Sequence, residues 1–226
     1  MPLFQNAQFF TTVNHLKDLP HTQAEIAFVG RSNAGKSSAI NTLTNHVRLA
    51  YVSKTPGRTQ HINFFELRNG HYLADLPGYG YAAVPKQDKI RWQRVMANYL
   101  MTRQNLIGIV LLCDPRLGLT ELDEALLEAV RPRVEEGLKF LIVLTKADKL
   151  TRSEQAKVLS ITRLQAGGGE VKMFSALKKQ GVDEVAQLLW QWAHPVRPQG
   201  TEPAAEGGAQ SLPASPQAAD ENPSTE

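Results

Sequence analysis

Residues 30–37 have the sequence Gly-Arg-Ser-Asn-Ala-Gly-Lys-Ser, which matches the pattern Gly-x-x-x-x-Gly-Lys-Ser/Thr of phosphate-binding loops. The apolar run 26–29 directly before it predicts a strand, and a helix is expected from Lys36 onward. In that context main-chain N–H groups and the positive end of the helix converge on phosphate oxygens. Lys36 is expected to neutralise the β and γ oxygens, and the Ser37 hydroxyl to bind Mg²⁺. The predicted nucleotide contacts in this loop are Gly30, Arg31, Ser32, Asn33, Ala34, Gly35, Lys36 and Ser37.

Segments with strand-like and helix-like patterns alternate on both sides of this loop. Residues 107–113 and 140–144 are unbroken apolar runs, which are typical of strands covered on both faces. Shorter strand-like segments predict further strands at 61–67, 72–74 and 171–174. Apolar residues at helical spacing predict helices at 85–103, 119–136, 153–165 and 181–193, with Ser153 as a cap. This alternation predicts an α/β fold, with a doubly wound sheet that carries helices on both faces.

A second fragment, Asp-Leu-Pro-Gly at residues 75–78, follows the predicted strand 72–74. A carboxylate at Asp75 can reach the coordination shell of Mg²⁺, and Gly78 can offer its N–H group to the γ-phosphate. Asp-x-x-Gly is usually only a turn, but its place at a strand end after a phosphate-binding loop favours a nucleotide site. The predicted contacts here are Asp75, Leu76, Pro77 and Gly78.

Two later fragments at strand ends predict that the base is guanine. Asp148 in Thr-Lys-Ala-Asp follows the strand 140–144, where its carboxylate can accept hydrogen bonds from the N1–H and N2–H groups of guanine. Adenine offers no such pair of donors. The Lys146 stem is expected to cover the base plane, and N–H groups of residues 174–176 to meet the guanine O6. The predicted contacts are Thr145, Lys146, Ala147, Asp148, Phe174, Ser175 and Ala176.

Between the first two fragments lies a loop, residues 53–60, that has neither a helical nor a strand pattern. A threonine in this loop would complete the Mg²⁺ shell only when the γ-phosphate is bound, so that the nucleotide orders the loop as a switch. Spacing alone leaves both Thr55 and Thr59 as candidates. The predicted contacts from this stretch are Gly57, Arg58, Thr59, Gln60 and His61.

Together these fragments resemble the bacterial EngB (YihA/YsxC) family of translation-factor-related P-loop GTPases, from about Phe9 to Trp192. The stretch Asp-Leu-Pro-Gly-Tyr-Gly-Tyr at 75–81 is the most family-specific piece. The resemblance implies a three-layer Ras-like domain with a six-stranded, mostly parallel sheet, and Thr59 rather than Thr55 as the Mg²⁺ ligand. It also implies a role in assembling the large ribosomal subunit and in normal cell division and septation.

Three positions affect the expected chemistry. Tyr79 follows Gly78 where Ras-type enzymes place the glutamine that orients the attacking water, so hydrolysis at or below about 10⁻⁴ s⁻¹ is expected. In related GTPases an asparagine at the Asn33 position helps to hold K⁺ near the phosphates, which is the hypothesis for this chain. Thr145 replaces a common asparagine, which predicts weaker nucleotide affinity. The groups expected to act on the transferred phosphate are Lys36, Asn33, Thr59 and Gly78, with Arg31 and Arg58 as alternative sources of positive charge.

Composition predicts the domain limits. From Arg197 onward large apolar residues almost disappear, so residues 197–226 are expected to form a disordered acidic tail. Residues 23–196 are expected to form the G domain, and residues 1–22 an N-terminal extension that packs on this domain. Residues 199–226 contain five acidic and no basic residues. The rest has 25 basic against 17 acidic residues, a net charge of +8, which favours a nucleic-acid partner.

The helix at 85–103 offers a basic face for that partner. Lys86, Arg91 and Arg94 lie away from its apolar stripe, and the hypothesis is that they contact ribosomal RNA. A merely solvated face, a GTP-dependent adaptor of the division machinery and a P-loop ATPase or kinase remain alternatives. The single cysteine, Cys113, is expected to be buried, and the absence of a recognisable signal peptide or membrane span favours a cytoplasmic protein. A monomer is expected.

Overall fold

The computed structural model describes residues 3–50, 61–80, 86–167 and 169–195, without the side chains of Lys86, Asp88, Lys89 and Trp92. The strands are β1 Gln8–Val13, β2 Ala24–Gly30, β3 Ile62–Glu66, β4 His71–Asp75, β5 Leu106–Cys113, β6 Lys139–Leu144 and β7 Glu170–Met173. The α-helices are α1 Lys36–Leu43, α2 Lys86–Thr102, α3 Glu121–Glu135, α4 Arg152–Gln165 and α5 Val182–Ala193. Each predicted strand and helix is confirmed, with small shifts of its ends. The predicted disordered tail lies outside the described residues.

The sheet has seven strands in the order β1-β3-β4-β2-β5-β6-β7, and β2 and β4 to β7 are parallel. The six-stranded sheet implied by the family resemblance is therefore wrong by one strand. The additional strand is β1, which pairs antiparallel with β3 from Gln8 opposite Glu66 to Val13 opposite Ile62. Its aromatic and β-branched residues suit a strand, and pairing with β3 satisfies main-chain groups that would otherwise lie at the sheet edge.

Helices cover both faces of the sheet, as the unbroken apolar strands predict. Along β5, Ile109 and Leu111 belong to a core shared with α2 and α3, whereas Val110 and Leu112 belong to one shared with α1 and α5. Cys113 is buried in the first of these cores, as expected. Because both faces are covered, loops at the strand ends are the part of the sheet left for binding. No helix among the described residues is long and apolar enough to cross a membrane.

The amino-terminal end of β2 is joined to α2 through a buried carboxylate. Glu25, with no exposed surface, accepts a hydrogen bond of 2.5 Å from the Tyr99 hydroxyl and one of 3.0 Å from Arg103 Nε. Burial raises the pKa of Tyr99 well above its ordinary value, so the hydroxyl keeps its proton. A buried carboxylate needs such partners because an unpaired one is strongly destabilising. The carboxyl-terminal half of α2 is thereby attached to the sheet.

One predicted detail is wrong at the start of α4. The cap is Thr151 rather than Ser153, which lies inside the first turn. The Glu154 N–H group donates to Thr151 Oγ1 at 3.3 Å, and the Thr151 N–H group donates back to Glu154 Oε2 at 2.7 Å. This reciprocal capping box satisfies two N–H groups at the helix end, which a cap at Ser153 could not do.

Candidate nucleotide-binding site

The predicted site fragments meet at one edge of the sheet. Strands β2, β4, β6 and β7 are part of one parallel set, so their carboxyl ends lie on the same side. The first two predicted fragments begin at Gly30 and Asp75, the last residues of β2 and β4, and the other two begin at Thr145 and Phe174, directly after β6 and β7. Crevices at this edge are where open α/β sheets bind ligands. The predicted contacts Gly57, Arg58, Thr59 and Gln60, and the alternative Thr55, lie outside the described residues.

The phosphate-binding loop turns sharply from β2 into α1. Gly35 precedes the helix with a φ of 93°, a left-handed conformation that glycine adopts without steric cost. Asn33 is also left-handed, with a φ of 65°, and its side chain is exposed at the mouth of the loop. Since α1 begins at Lys36, the N–H groups of its first turn and its positive dipole end face the loop. The loop thus has the geometry of an anion site.

Lys36 and Asp75 form an ion pair at the centre of this edge. Lys36 Nζ donates to Asp75 Oδ1, and the two side chains are only 9% and 5% exposed. Ser37, the next residue of α1, adds a hydroxyl oxygen at this helix start, and Asp75 at the end of β4 adds carboxylate oxygens. Oxygen donors of this kind, few in number and next to a phosphate site, are what Mg²⁺ takes as ligands. The residues present therefore fit this metal ion.

The segment after β4 lies against the start of the phosphate-binding loop. Leu76 and Pro77, two predicted contacts, are buried in the protein, and the Leu76 N–H group donates to Phe28 O at 3.1 Å. Their side chains therefore pack in the interior. Gly78 and Tyr79 come next and pair with the loop through their main chains.

The side chains of Tyr79 and Arg31 both have defined neighbours beside the phosphate-binding loop. The Tyr79 hydroxyl donates to Asp123 Oδ1 of α3 at 2.5 Å. Arg31 lies beside Gly80, so closely that a Cβ atom on this glycine would be 3.0 Å from Arg31 Nε. The Tyr79 side chain thus contacts α3, and Arg31 lies next to the segment that ends at Gly80.

The base-recognition loop is held by the loop that follows β7. Asp148 Oδ1 accepts a hydrogen bond of 2.5 Å from the hydroxyl of Ser175, which has no exposed surface. This bond lowers the pKa of Asp148, so that the side chain is a carboxylate, as guanine recognition requires. The Ala147 N–H group donates to the carbonyl of the buried Phe174 at 3.0 Å. Ala176 follows at the same edge, and His61 lies half-buried just before β3.

Thr145 and Lys146 join the base-recognition loop to the phosphate-binding loop. The Thr145 hydroxyl lies 2.6 Å from Ala34 O, and Lys146 Nζ donates to Asn33 O at 2.8 Å. Lys146 has a left-handed φ of 52°, which directs its stem across the mouth of the site. Thr145 therefore makes a contact between the loops although it lacks the amide of the usual asparagine.

Asp114 and Arg116 were not among the predicted site residues. Asp114 directly follows β5 and accepts hydrogen bonds from Lys146 Nζ at 3.0 Å and from Arg116 Nε at 2.9 Å. The hydrogen bond from Arg116, and to a smaller extent the one from Lys146, holds the pKa of Asp114 well below its ordinary value. The carboxylate therefore positions Lys146. An acidic residue immediately after a buried strand was the signal in the sequence.

Comparisons with known proteins agree with this geometry. Residues 25–146 match the family described as 50S ribosome-binding GTPase. The probable GTP-binding protein EngB of Acidovorax ebreus is 71% identical over 202 residues, with 87% of this chain and 93% of that protein covered. Its counterpart in Neisseria meningitidis serogroup B is 58% identical over 198 residues, with coverage of 85% and 93%.

Solved structures show the same fold. A crystal structure of a probable GTP-binding protein engB superposes with a TM-score of 0.62 at 23% identity and covers 75% of this chain and 98% of that chain. The structure of NFeoB from S. thermophilus, bound to GDP, AlF4⁻ and K⁺, gives a TM-score of 0.53 at 27% identity. It covers 74% of this chain and 61% of that chain.

Proposed function

This chain belongs to the EngB family of GTP-binding proteins, and from that membership we propose that it is a slow GTP-hydrolysing switch in assembly of the large ribosomal subunit. In that role it is needed for normal cell division and septation. The observation that carries the proposal is the Asp148 carboxylate, held by Ser175 at the same sheet edge as the phosphate-binding loop. A carboxylate there accepts two hydrogen bonds from guanine and none from adenine.

A competition experiment tests the base preference. Labelled GDP bound to the full-length chain with Mg²⁺ is challenged with unlabelled GTP or ATP. GTP is expected to displace the label at micromolar concentration, whereas ATP at the same concentration leaves it bound. Displacement by both nucleotides would favour a P-loop ATPase or kinase and would contradict the assignment of Asp148.

The chemistry follows from charge placed around the phosphates. Lys36 and the N–H groups at the start of α1 bind the β and γ oxygens, and the Gly78 N–H group meets the γ-phosphate. Ser37 and Thr59 would hold Mg²⁺, with Asp75 reaching it through a bound water. When bound, the metal ion neutralises charge that develops on the phosphate oxygens. Lys36 must then turn from Asp75 toward the nucleotide.

Slow hydrolysis is part of the proposal because no glutamine follows Gly78. Tyr79 occupies that position and donates its hydroxyl to Asp123 rather than to a water near the phosphates. K⁺ held with the help of Asn33 is the proposed source of additional positive charge, and NFeoB offers a precedent for a K⁺-bound relative. Turnover at saturating GTP and Mg²⁺ is expected to be faster in K⁺ than in Na⁺ buffer. Equal rates would exclude K⁺ activation.

Ribosomal RNA is the proposed partner of the basic body. Arg91 and Arg94 are exposed on α2, and the side chain of Lys86 lies outside the described part. Because α2 follows the segment that ends at Gly80, its position is expected to depend on the bound nucleotide. In this proposal the chain acts as a cytoplasmic monomer that binds the pre-ribosomal particle.

Co-sedimentation with large ribosomal subunits tests the partner. Binding is expected with a non-hydrolysable GTP analogue, weaker with GDP, and reduced by the double charge reversal Arg91→Glu and Arg94→Glu. The control variant is Arg131→Glu, on α3, where the native arginine pairs with Glu128 on an exposed surface. Equal losses in both variants would show only a general charge effect. No binding with either nucleotide would favour an adaptor role outside the ribosome.

A further inference from the structure

A groove lies beside the predicted nucleotide site, between α1 and the loop that follows β7. One wall consists of three polar residues of α1 and of the segment 45–47 that comes after this helix. Ala176 and Lys179 form the other wall. The groove has a volume of about 350 Å³, which is comparable with the smaller pockets that bind ligands in proteins. Both walls belong to elements that also carry predicted nucleotide contacts, since α1 begins at Lys36 and Ala176 is expected to meet guanine.

The wall formed by α1 is held in place by one buried amide. Asn41 Nδ2 donates to Ala50 O at 2.8 Å, and the Ala50 N–H group donates back to Asn41 Oδ1 at 2.7 Å. The His46 N–H group donates to Asn41 O at 2.9 Å. Because these bonds close the turn after the helix at both ends, the groove is already formed in the absence of a ligand.

The opposite wall is connected to the residue that is expected to recognise guanine. The N–H group of Lys178 donates to Ser175 Oγ at 3.1 Å, and the Ser175 N–H group donates to Gln180 O at 3.0 Å. Lys179 lies inside this closed turn, with a left-handed φ of 54°. The same Ser175 hydroxyl donates to Asp148. A ligand that holds Lys179 therefore restrains the turn that orients the Asp148 carboxylate.

The charge around the groove is of one sign. Residues 44–50 and 175–180 contain four basic side chains and no acidic one. The four are His46, Arg48, Lys178 and Lys179, and all of them are exposed. Amide and hydroxyl groups of α1 and of Asn45 line the same groove. Since Lys and Arg, together with Ser, Thr and Asn, make most contacts to nucleic-acid phosphates, this set suits a sugar–phosphate backbone.

Two large apolar side chains flank the basic groups. Val47 is 90% exposed and Leu177 is 73% exposed. A single strand of RNA presents unstacked bases between its phosphates, so that it can cover apolar side chains and pair with cations at the same time. An acidic protein segment would satisfy the charges alone. The combination favours single-stranded RNA as the occupant.

We propose that this groove binds the backbone of single-stranded RNA and that bound RNA slows the release of guanine nucleotide. The inference adds a second RNA contact to the one proposed on α2. Its second part rests on the proposed function, because it assumes that Asp148 holds guanine. RNA that restrains Lys179 keeps Ser175 bonded to Asp148, and nucleotide and RNA thereby stabilise each other's binding, as linkage requires.

Charge reversal tests the RNA contact. Binding of a fluorescent 12-nucleotide oligouridylate to the GDP-bound full-length chain is measured over a range of salt concentrations. The variant Arg48→Glu and Lys179→Glu is expected to bind about tenfold more weakly or worse. The slope of log affinity against log salt should fall by about two, one for each phosphate contact that is lost.

The matched control is Arg131→Glu and Lys139→Glu, which changes the net charge by the same amount. Arg131 is exposed on α3, and Lys139 is exposed at the start of β6, at the end of that strand away from the site. RNA affinity of the control is expected to stay within twofold of the wild type. Equal losses in the two variants would overturn the inference. Displacement of the RNA by an oligoglutamate of equal charge would also overturn it, in favour of an acidic protein partner.

The second part is tested by the release rate of a fluorescent GDP analogue, chased with unlabelled GDP. Saturating oligouridylate is expected to slow release from the wild type about fivefold, at the lower end of couplings between sites. The variant Arg48→Glu and Lys179→Glu should release the analogue as fast as the wild type does without RNA, and RNA should not change its rate. RNA that binds the wild type but leaves the rate unchanged would overturn the coupling. Failure of the wild type to bind GDP at all would instead contradict the proposed function.

Discussion

The two halves of the candidate site are built in different ways. At the guanine end, the groups that position the base-recognition loop are the Ser175 hydroxyl, which donates to Asp148, and the Asp114 carboxylate, which accepts from Lys146. Neither of these two groups is predicted to contact the nucleotide. At the phosphate end, a predicted ligand-binding group is bonded to another one, since Lys36 pairs with Asp75. We expect nucleotide binding to leave the first set of bonds intact and to replace the second.

The difference matches what each half has to distinguish. Guanine is the same in GTP and GDP, so a preformed recognition loop lowers the cost of binding either nucleotide. The γ-phosphate is what differs between them. The segment after β4, where Gly78 and Tyr79 pair with the phosphate-binding loop, is the part of the site expected to respond to this group. We therefore expect mutations at the two ends to have distinguishable effects.

The largest effect is expected at the phosphate end, from Lys36→Ala. Loss of the positive charge should weaken GTP and GDP by about a hundredfold or more, because truncating one partner of a buried charge pair costs several kcal/mol. Equilibrium titration with fluorescent GTP and GDP analogues measures the loss of affinity. The variant also leaves Asp75 unpaired and should lower the free energy of unfolding.

The double variant Lys36→Ala and Asp75→Asn separates these two consequences. Removing the buried carboxylate should restore much of the stability, whereas nucleotide binding stays lost. If binding returned together with stability, the role of Lys36 would be structural rather than phosphate recognition.

The next effect is expected at the guanine end, from Asp148→Asn. The amide presents a donor where guanine also has donors, so GTP affinity should fall about a hundredfold while affinity for xanthosine triphosphate rises. Competition between the two nucleotides measures the change. A variant that kept its preference for GTP would show that Asp148 does not contact the base.

A smaller and uniform effect is expected from Ser175→Ala. The Asp148 carboxylate would remain but would lose the 2.5 Å bond that orients it, so GTP and GDP should both weaken by about tenfold. Calorimetric titration of the variant and the wild type measures the loss of affinity for each nucleotide. If the guanine end is preformed as described, the two losses are equal. Unequal losses would mean that this end also responds to the γ-phosphate.

The smallest effect is expected in stability, from Asp114→Asn. The pKa of Asp114 is lowered in the folded chain, chiefly by Arg116 and also by Lys146, so its carboxylate stabilises the fold above its unfolded pKa of about 4. That contribution is lost as the pH falls from there toward the folded pKa. Urea unfolding should show the variant less stable at pH 7, with a difference that shrinks below about pH 4. A difference independent of pH would contradict this role.

Much of the fold followed from local patterns. Strands β2, β5 and β6 were predicted because buried parallel strands are continuous apolar runs, and α2 because its apolar residues recur at helical spacing. Strand β1 was missed because it is an edge strand with Phe9 and Phe10 exposed, which leaves no strong alternation to detect. Its pairing with β3 is a long-range contact that the sequence does not display.

The sequence by itself determined the chemistry of the ligand. A phosphate-binding loop, a carboxylate at the end of β4 and an aspartate after β6 can each be recognised from a few adjacent residues, and the strand ends bring them to one edge. Only the tertiary structure decided which of these groups contact one another. The pairing of Lys36 with Asp75 and that of Tyr79 with Asp123 each join residues about 40 positions apart. Such contacts depend on how helices and strands pack, because no local pattern encodes the partner of a buried side chain.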